Sequence, residues 1–181
     1  INLAMQIASE AKSEMPEIPL PECGAMSQGY IGYHLQNALY EEISRRNLKI
    51  PVAAVATQVI VSSEDPAFSS PSKPIGLFYS EEKAKQLAIE KQWTLLEDAG
   101  RGWRRVVPSP KPVDIVEKES IRTLFENGHL VIAVGGGGIP VVKNKERLTG
   151  VAAVIDKDFA SAKLAELLNA DYLIMLTGVD Q

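Results

Sequence analysis

The sequence predicts an α/β fold on a mainly parallel sheet, with a small subdomain that protrudes from it. Helical patterns alternate with short apolar runs, and strand, helix, strand at these lengths requires parallel crossovers. The composition changes over residues 65–112, where both ends of the segment are rich in proline. We therefore expect a core formed by residues 1–64 and 113–181, and a lid-like subdomain formed by residues 65–112.

The first 61 residues predict two helices and a strand. Residues 2–14 have a helical pattern, and three prolines between positions 16 and 21 then enforce an irregular connection. Residues 25–46 carry apolar side chains near helical spacing, which predicts a long amphipathic helix. Residues 52–61 are apolar and β-branched, as expected of a central strand.

The predicted subdomain contains a short helix and a hairpin. The helix covers residues 80–90, and two strand-like runs, 93–96 and 103–107, flank a turn at residues 99–102. Proline-rich borders suit a hinged lid. A surface excursion that never moves explains the same borders equally well.

The last third of the chain returns to alternating helices and strands. Helices are predicted at residues 119–127 and 159–168, and strands at residues 130–134 and 172–176. Ligands of parallel α/β sheets bind beyond the carboxyl ends of the strands. We therefore expect the turns that follow these two strands to border the functional site.

Four consecutive glycines follow the strand predicted at residues 130–134: Gly135, Gly136, Gly137 and Gly138. Such a turn leaves backbone N–H groups open to an anion, and a helix starting just after Lys157 would point its positive dipole end at the same edge. Phosphoryl chemistry explains this combination, and so does a sharp turn followed by a solvated lysine. Neither the Walker A motif nor the Gly-x-Gly-x-x-Gly fingerprint is present.

The predicted subdomain has its own basic side chains, namely Lys73 and the run Arg101, Arg104 and Arg105. A cluster of this kind is usually a solvated face. It would become an anion clamp if it overhung the glycine turn.

Composition favours a globular protein with small-molecule ligands. A net charge of −4 and a pI near 5.3 argue against an extended nucleic-acid surface. Cys23 is the only cysteine, so no intramolecular disulfide can form. No apolar run reaches the roughly 20 residues of a membrane span. We expect a cytoplasmic protein that binds neither nucleic acid nor membrane, and, because Ile1 begins inside a predicted helix, a piece of a longer chain.

Seven segments carry long or unusual motifs: SQGYIGY at 27–33, EDPAF at 64–68, KPIG at 73–76, EDAGRGWRRVV at 97–107, GGGGIP at 135–140, AVIDKD at 153–158 and LTGVD at 176–180. In this order, and over essentially the whole chain, they resemble carbamate kinases of the amino-acid kinase superfamily.

The resemblance implies a fold, an activity and partners. The fold would be a three-layer α/β/α sandwich on a mainly parallel sheet, here incomplete, in a homodimer whose subdomain closes over the site. The activity would be reversible phosphoryl transfer between ATP and carbamate, giving carbamoyl phosphate and ADP, and often running toward ATP in arginine fermentation. ATP or ADP would bind with Mg²⁺ that is held mainly by the phosphates.

The resemblance also assigns residues. Lys157 would contact the transferring phosphoryl group, Lys73 would be brought in by the subdomain, and Asp156 would lie beside Lys157. The nucleotide would bind near Thr177, Gly178, Val179 and Asp158. The substrate pocket would be lined by the four glycines and by Ser27, Gln28 and Gly29. We expect Asp156 to orient Lys157, and Asp158 to cap the following helix.

The chemistry of phosphoryl transfer agrees with these roles. Catalysis depends on aligning two anions and neutralising charge on oxygens that separate in the transition state. Carbamate is already a nucleophilic anion, so no general base is demanded. This agrees with the lack of a Ser/His/Asp set, and we interpret His34 and His129 as ordinary surface or helix residues.

The chain also departs from the family pattern. Carbamate kinases carry an upstream Gly-Gly-Asn turn, an upstream Gly-Asn-Gly-Pro turn and a downstream lysine, none of which is present here. The sequence therefore resembles a central segment, which we expect to be inactive alone. Two alternatives stay open: a superfamily relative that phosphorylates another small carboxylate or phosphonate, and a non-catalytic nucleotide-binding or dimerisation module.

Overall fold

The computed structural model describes residues 18–176 and residue 178. This part of the chain contains four α-helices: α1 (Leu20–Arg45), α2 (Glu81–Glu90), α3 (Lys118–Glu126) and α4 (Lys157–Leu168). It also contains nine strands: β1 (Val52–Ala54), β2 (Gln58–Val61), β3 (Lys73–Tyr79), β4 (Leu95–Glu97), β5 (Trp103–Val107), β6 (Pro112–Ile115), β7 (Leu130–Ile132), β8 (Ile139–Asn144) and β9 (Arg147–Gly150). The helix predicted at residues 2–14 lies outside the described residues.

Parallel strand pairs form the centre of the core. Strand β1 pairs with β7 and strand β2 pairs with β8, both in parallel. Because β1 leads into β2 and β7 leads into β8, the same two stretches of chain form both pairs. Antiparallel strands β6 and β9 extend the second pair on either side. The predicted parallel centre is confirmed, and the structure adds two antiparallel edges that were not predicted.

Both central stretches of chain are interrupted at the same level of the sheet. The strand predicted over residues 52–61 is divided at residues 55–57, and the strand predicted over residues 130–134 ends at Ile132. Val134 cannot continue it, because its φ of 49° and ψ of 28° lie in the left-handed region. The sheet therefore opens where the glycine turn begins.

Helices pack on this sheet and complete its core. Helix α1 packs against β1, β7 and β8, whereas α3 packs against β7 and α4, and α4 packs against β6. The buried core cluster includes the aliphatic side chains of Val59, Val61, Ile115, Ile121 and Ile155. Each such burial stabilises the fold by about 1.5–3 kcal/mol. The predicted α/β/α class is confirmed, and no helix within residues 18–176 has the length and apolar character needed to cross a membrane.

Residues 73–107 form a separate antiparallel sheet in the order β3, β5, β4. Helix α2 begins directly after its N-cap Ser80, whose hydroxyl oxygen accepts a hydrogen bond from the N–H of Lys83. Its side chains Ala84 and Leu87 pack with Leu95 in a small core of their own. The predicted hairpin of β4 and β5 is confirmed. The separate sheet and core support the proposed subdomain of residues 65–112.

Asp65 joins the two borders of this subdomain. Its Oδ2 accepts a hydrogen bond from the N–H of Lys111 at 3.0 Å, and its Oδ1 accepts one from the N–H of Ala67 at 2.9 Å. These two bonds hold the pKa of Asp65 below its usual value of 3.8, and the bond from the Lys111 N–H has the larger effect. The two connections between core and subdomain are therefore fixed side by side.

Residues 172–176 do not form the predicted last strand. None of the described residues pairs with them in a sheet, and their side chains are exposed, Tyr172 by 87% and Leu176 by 92%. An extended segment becomes a strand only when a neighbour accepts and donates its backbone hydrogen bonds. Without such a neighbour in the described part of the chain, the prediction of a strand here is wrong.

Candidate active site

The entrance of helix α4 is fixed by Asp156. Its Oδ1 accepts a hydrogen bond from the N–H of Asp158 at 2.9 Å, and its carbonyl oxygen accepts one from the N–H of Ala160 at 3.0 Å. Asp156 has an extended backbone with φ −69° and ψ 128°, as N-cap residues do. The helix begins directly after it, so the positive end of its dipole lies at this point.

Lys73, the first residue of β3 in the subdomain, reaches the same point. Its Nζ lies 2.8 Å from Asp156 Oδ2, and the two side chains are 29% and 38% exposed. The hydrogen bond from Lys73, followed by the one from the Asp158 N–H, holds the pKa of Asp156 below its usual 3.8. A second hydrogen bond connects the same two regions of the chain: the N–H of Val154 donates to the carbonyl oxygen of Pro108 at 3.0 Å.

Lys157 is the first residue of α4 and pairs with Asp158. Its side chain is 70% exposed, and the hydrogen bond to Asp158 raises the pKa of Lys157 above its usual 10.5. We expected Asp156 to orient Lys157 and Asp158 to cap the helix. The structure exchanges these roles, because the helix begins at Lys157 rather than at residue 159.

The glycine turn lies directly against this helix entrance. A Cβ on Gly137 would clash with the carbonyl oxygen of Ile155, the residue before Asp156, and a Cβ on Gly138 would clash with the side chain of Val59. Both glycines also have positive φ, 97° and 82°. Only glycine satisfies both constraints, so the turn approaches the backbone just before α4 more closely than any other residue would allow.

Two of the four glycine amides are already used inside the turn. The N–H of Gly137 donates to the carbonyl oxygen of Val134 at 2.9 Å, and the N–H of Gly138 donates to that of Gly135 at 3.1 Å. These two N–H groups are therefore not open to an anion, contrary to what we had expected of the glycine turn. The turn contributes mainly a close, side-chain-free wall beside the lysines.

Thr57 holds the turn from the sheet, a role that we did not predict. Its hydroxyl oxygen accepts a hydrogen bond from the N–H of Val134 at 3.0 Å, and its carbonyl oxygen accepts one from the N–H of Ile139 at 2.8 Å. Thr57 is completely buried. In the sequence it lies within an apolar, β-branched run, where a threonine is typical of an ordinary strand residue.

The segment Ser27, Gln28 and Gly29 on α1 lines a cavity of about 280 Å³ together with Gly135. The Gln28 amide is not free to bind a substrate, because its Nε2 donates to the Thr57 carbonyl at 3.1 Å and its Oε1 accepts from the Thr57 N–H at 2.8 Å. The Ser27 hydroxyl donates to the carbonyl of Gly24 at 2.9 Å. Gly29 is open, since a Cβ there would meet nothing within 4 Å.

The basic run of the subdomain does not reach the glycine turn through any described contact. Arg101 and Arg104 both pair with Asp98 and lie over the ring of Phe78, at 5.2 and 5.0 Å from its centroid. Arg105 lies over the ring of Trp93. These contacts bind the arginines to their own subdomain, so the anion clamp is not supported.

The predicted nucleotide side is only partly described. Gly178 is exposed in a bend, whereas Thr177 and Val179 lie outside the described residues. Within residues 18–176 and 178, no group of three or more His, Cys, Asp or Glu side chains is placed to hold a metal ion. His34 contacts the rings of Tyr30 and Tyr33 on α1.

The entrance of α4 brings together two lysines, two aspartates and the positive end of a helix dipole. Lys73 from the subdomain, Lys157 and the start of α4 converge beside the glycine turn, and each lysine is held by a partly exposed aspartate. Water screens exposed ion pairs of this kind, so they are weak. An anion with several oxygens could therefore replace the aspartates as the partner of one or both lysines at little cost.

Comparisons with known proteins match this picture. The carbamate kinase of Clostridium perfringens (strain 13 / Type A) is 55% identical over 98% of this chain and 57% of its own length. The carbamate kinase-like protein YqeA of Escherichia coli (strain K12) is 55% identical over 100% of this chain and 58% of its own length. The structure of carbamate kinase from Giardia lamblia bound to AMP-PNP is 47% identical with a TM-score of 0.86, covering 98% of this chain and 56% of that one.

The chain thus spans a little under three fifths of the length of these relatives. The profile of the amino acid kinase family matches residues 38–181, which include the glycine turn, Lys73 and the start of α4. The chain belongs to the amino acid kinase family.

Proposed function

We propose that this chain is the central part of a carbamate kinase, which transfers a phosphoryl group reversibly between ATP and carbamate to give carbamoyl phosphate and ADP. The observation that carries the proposal is the contact of Lys73 with Asp156, the neighbour of Lys157 at the start of α4, beside a glycine turn. The names of the relatives from C. perfringens and G. lamblia support the same reaction.

The reaction needs positioned charge more than covalent help. An oxygen of carbamate forms a bond to the γ-phosphorus of ATP, the bond from that phosphorus to the β,γ-bridging oxygen breaks, and ADP leaves with the electron pair. No proton has to move. Negative charge passes from carbamate to the leaving phosphate, so two lysines that contact the transferring group stabilise the transition state as charge develops.

Each residue at the helix entrance has a distinct part in this proposal. Lys157, with its exposed side chain, contacts the transferring phosphoryl group after leaving Asp158. Lys73 neutralises charge from the subdomain side, and Asp156 holds it in place until the substrates bind. The dipole at the start of α4 adds fixed partial positive charge.

The nucleotide is ATP or ADP, which we place near Asp158 and the segment of Thr177, Gly178 and Val179. Magnesium would neutralise phosphate charge in such a reaction. Because lysines and backbone N–H groups engage both Asp156 and Asp158, we propose that the phosphates supply most of its ligands.

The remaining parts of the proposal concern the whole protein. We infer a cytoplasmic homodimer that works in arginine breakdown, where the reaction runs toward ATP. Exposed aromatic side chains on α1, Tyr30, Tyr33 and Tyr40, offer a surface that a second copy could cover. Light scattering of the full-length gene product gives the test, with a mass of two chains expected and a mass of one chain against it.

Two alternatives remain. A family member acting on another small carboxylate or phosphonate would keep the same lysines. A non-catalytic nucleotide-binding module would keep the fold and lose turnover.

The deciding experiment uses the full-length gene product with ADP and a panel of acyl phosphates, and measures ATP formation. We expect carbamoyl phosphate to be the best phosphoryl donor. Faster ATP formation from acetyl phosphate or an amino-acid acyl phosphate would favour the first alternative. Binding of ADP without turnover of any donor would favour the second.

A further inference from the structure

Every polar group of Thr57 is engaged between the sheet and the candidate site. Its hydroxyl donates to the carbonyl oxygen of Val55 at 2.8 Å and accepts from the N–H of Val134 at 3.0 Å. Its N–H and carbonyl bind the side-chain amide of Gln28, and the carbonyl also accepts from the N–H of Ile139. Thr57 is completely buried, so no water competes for these bonds.

The bond to Val134 matters most, because Val134 has an unfavourable backbone. A β-branched residue rarely adopts the left-handed region, and Val134 lies there with φ 49°. Such a conformation persists only where the surroundings fix it. Val134 is also the residue from which the glycine turn starts, so its orientation sets the position of the whole turn.

The glycine turn also contacts the backbone just before helix α4. Gly137 lies against the backbone of Ile155, one residue before the N-cap of α4. A shift of Val134 would therefore move the wall beside Lys157 and Lys73. A displacement of about 1 Å of a positioning element is enough to lower turnover about 100-fold.

We propose that the Thr57 hydroxyl is a positioning group for phosphoryl transfer: by holding the Val134 N–H, it fixes the glycine turn against the entrance of α4. Thr57 does not contact the reacting atoms. The inference rests on the proposed function, and it assigns to the break between β1 and β2 a role in turnover as well as in packing.

The test compares Thr57→Ser with Thr57→Ala in the full-length gene product. Both variants lose the methyl group, and they differ only in the hydroxyl. We expect Thr57→Ser to keep kcat within about threefold, and Thr57→Ala to lower kcat about 10- to 100-fold while KM for ADP changes little. Equal kcat values for the two variants would overturn the proposal, as would a loss confined to KM.

Amide hydrogen exchange of Val134 supplies a readout that does not depend on activity. We expect the Val134 amide to exchange slowly in the unmodified protein and in Thr57→Ser, and at least about 10-fold faster in Thr57→Ala. Should Thr57→Ala fail to fold, exchange in the unmodified protein decides, and a Val134 amide as fast as those of exposed loops would overturn the proposal.

The two measurements also separate this inference from the proposed function. If the unmodified protein turns over no acyl phosphate, the proposed function fails, while the exchange of Val134 still shows whether Thr57 holds the turn. If carbamoyl phosphate is turned over and Thr57→Ala is as active as Thr57→Ser, only the inference fails.

Discussion

Lys73 Nζ and Asp156 Oδ2 lie 2.8 Å apart, although the two residues are 83 positions apart in the chain and belong to different secondary-structure elements. Lys73 begins a strand of the subdomain, and Asp156 caps the helix that starts at Lys157. This ion pair is thus a direct side-chain link between the subdomain and the candidate active site. The same contact holds Lys73 in place and connects the subdomain to the core.

The first prediction concerns this pair. Lys73→Met should lower kcat about 10- to 100-fold, since one preorganised charge is lost. Its melting temperature should change by less than about 4 °C, because a partly exposed ion pair contributes about 1 kcal/mol or less. Lys85→Met is the matched control, as Lys85 is an exposed lysine of the subdomain that pairs with Glu81 on its own helix. Equal loss of activity and stability in Lys73→Met would instead make the residue structural.

A double-mutant cycle sharpens this prediction. Asp156→Asn removes the charge and keeps a residue that caps helices well. If Asp156 acts by holding Lys73, the double variant should be no slower than the more damaged single variant. If the fold losses in kcat of the two single variants multiply in the double variant, the two residues act independently.

The second prediction concerns pH. The pKa of Asp156 lies below its usual 3.8 in the folded protein, chiefly because of Lys73. As the pH falls, the unfolded chain is protonated first, so the stabilisation from this carboxylate is complete above about pH 5 and is lost as the pH falls through the folded pKa. The difference in melting temperature between the unmodified protein and Asp156→Asn should be constant from pH 5 to 7 and shrink below pH 4. A difference in melting temperature that grows as the pH falls would contradict a lowered pKa of Asp156 in the folded protein.

The third prediction concerns two neighbouring glycines. Gly136 and Gly137 both have positive φ, and only Gly137 lies against the backbone of Ile155. Gly136→Ala should cost about 1–2 kcal/mol of stability from backbone strain alone. Gly137→Ala carries the same strain plus a clash with the Ile155 carbonyl, and should be clearly less stable in urea denaturation. Similar midpoints for the two variants would mean that the turn does not contact the helix entrance.

Much of this fold could be predicted because its periodic segments are long. The apolar spacing of α1 and the hairpin of β4 and β5 were both readable from the sequence. Strand β3 was not, because Pro74 and Gly76 interrupt it, although antiparallel pairing with β5 tolerates both. Strands β6, β8 and β9 were not predicted either, because they form through pairing with distant or neighbouring strands of the sheet.

The site was harder to predict in its details. Two aspartates flank Lys157, and either could cap a helix, so an error of two residues in the predicted helix start exchanged their roles. Thr57 was missed because its function depends on the left-handed backbone of Val134, 77 residues later, which no local pattern indicates. Long-range contacts between backbone groups are set by the whole fold.

The most direct test of the central claim is the turnover of Lys157→Ala in the full-length gene product, measured as ATP formation from carbamoyl phosphate and ADP. The charge of Lys157 is needed chiefly while the phosphoryl group moves, so kcat should fall about 100-fold or more, whereas ADP affinity should fall much less. Lys85→Ala should behave as the unmodified protein. A Lys157→Ala variant with nearly normal kcat would contradict the account, because phosphoryl transfer would then not take place at the entrance of α4.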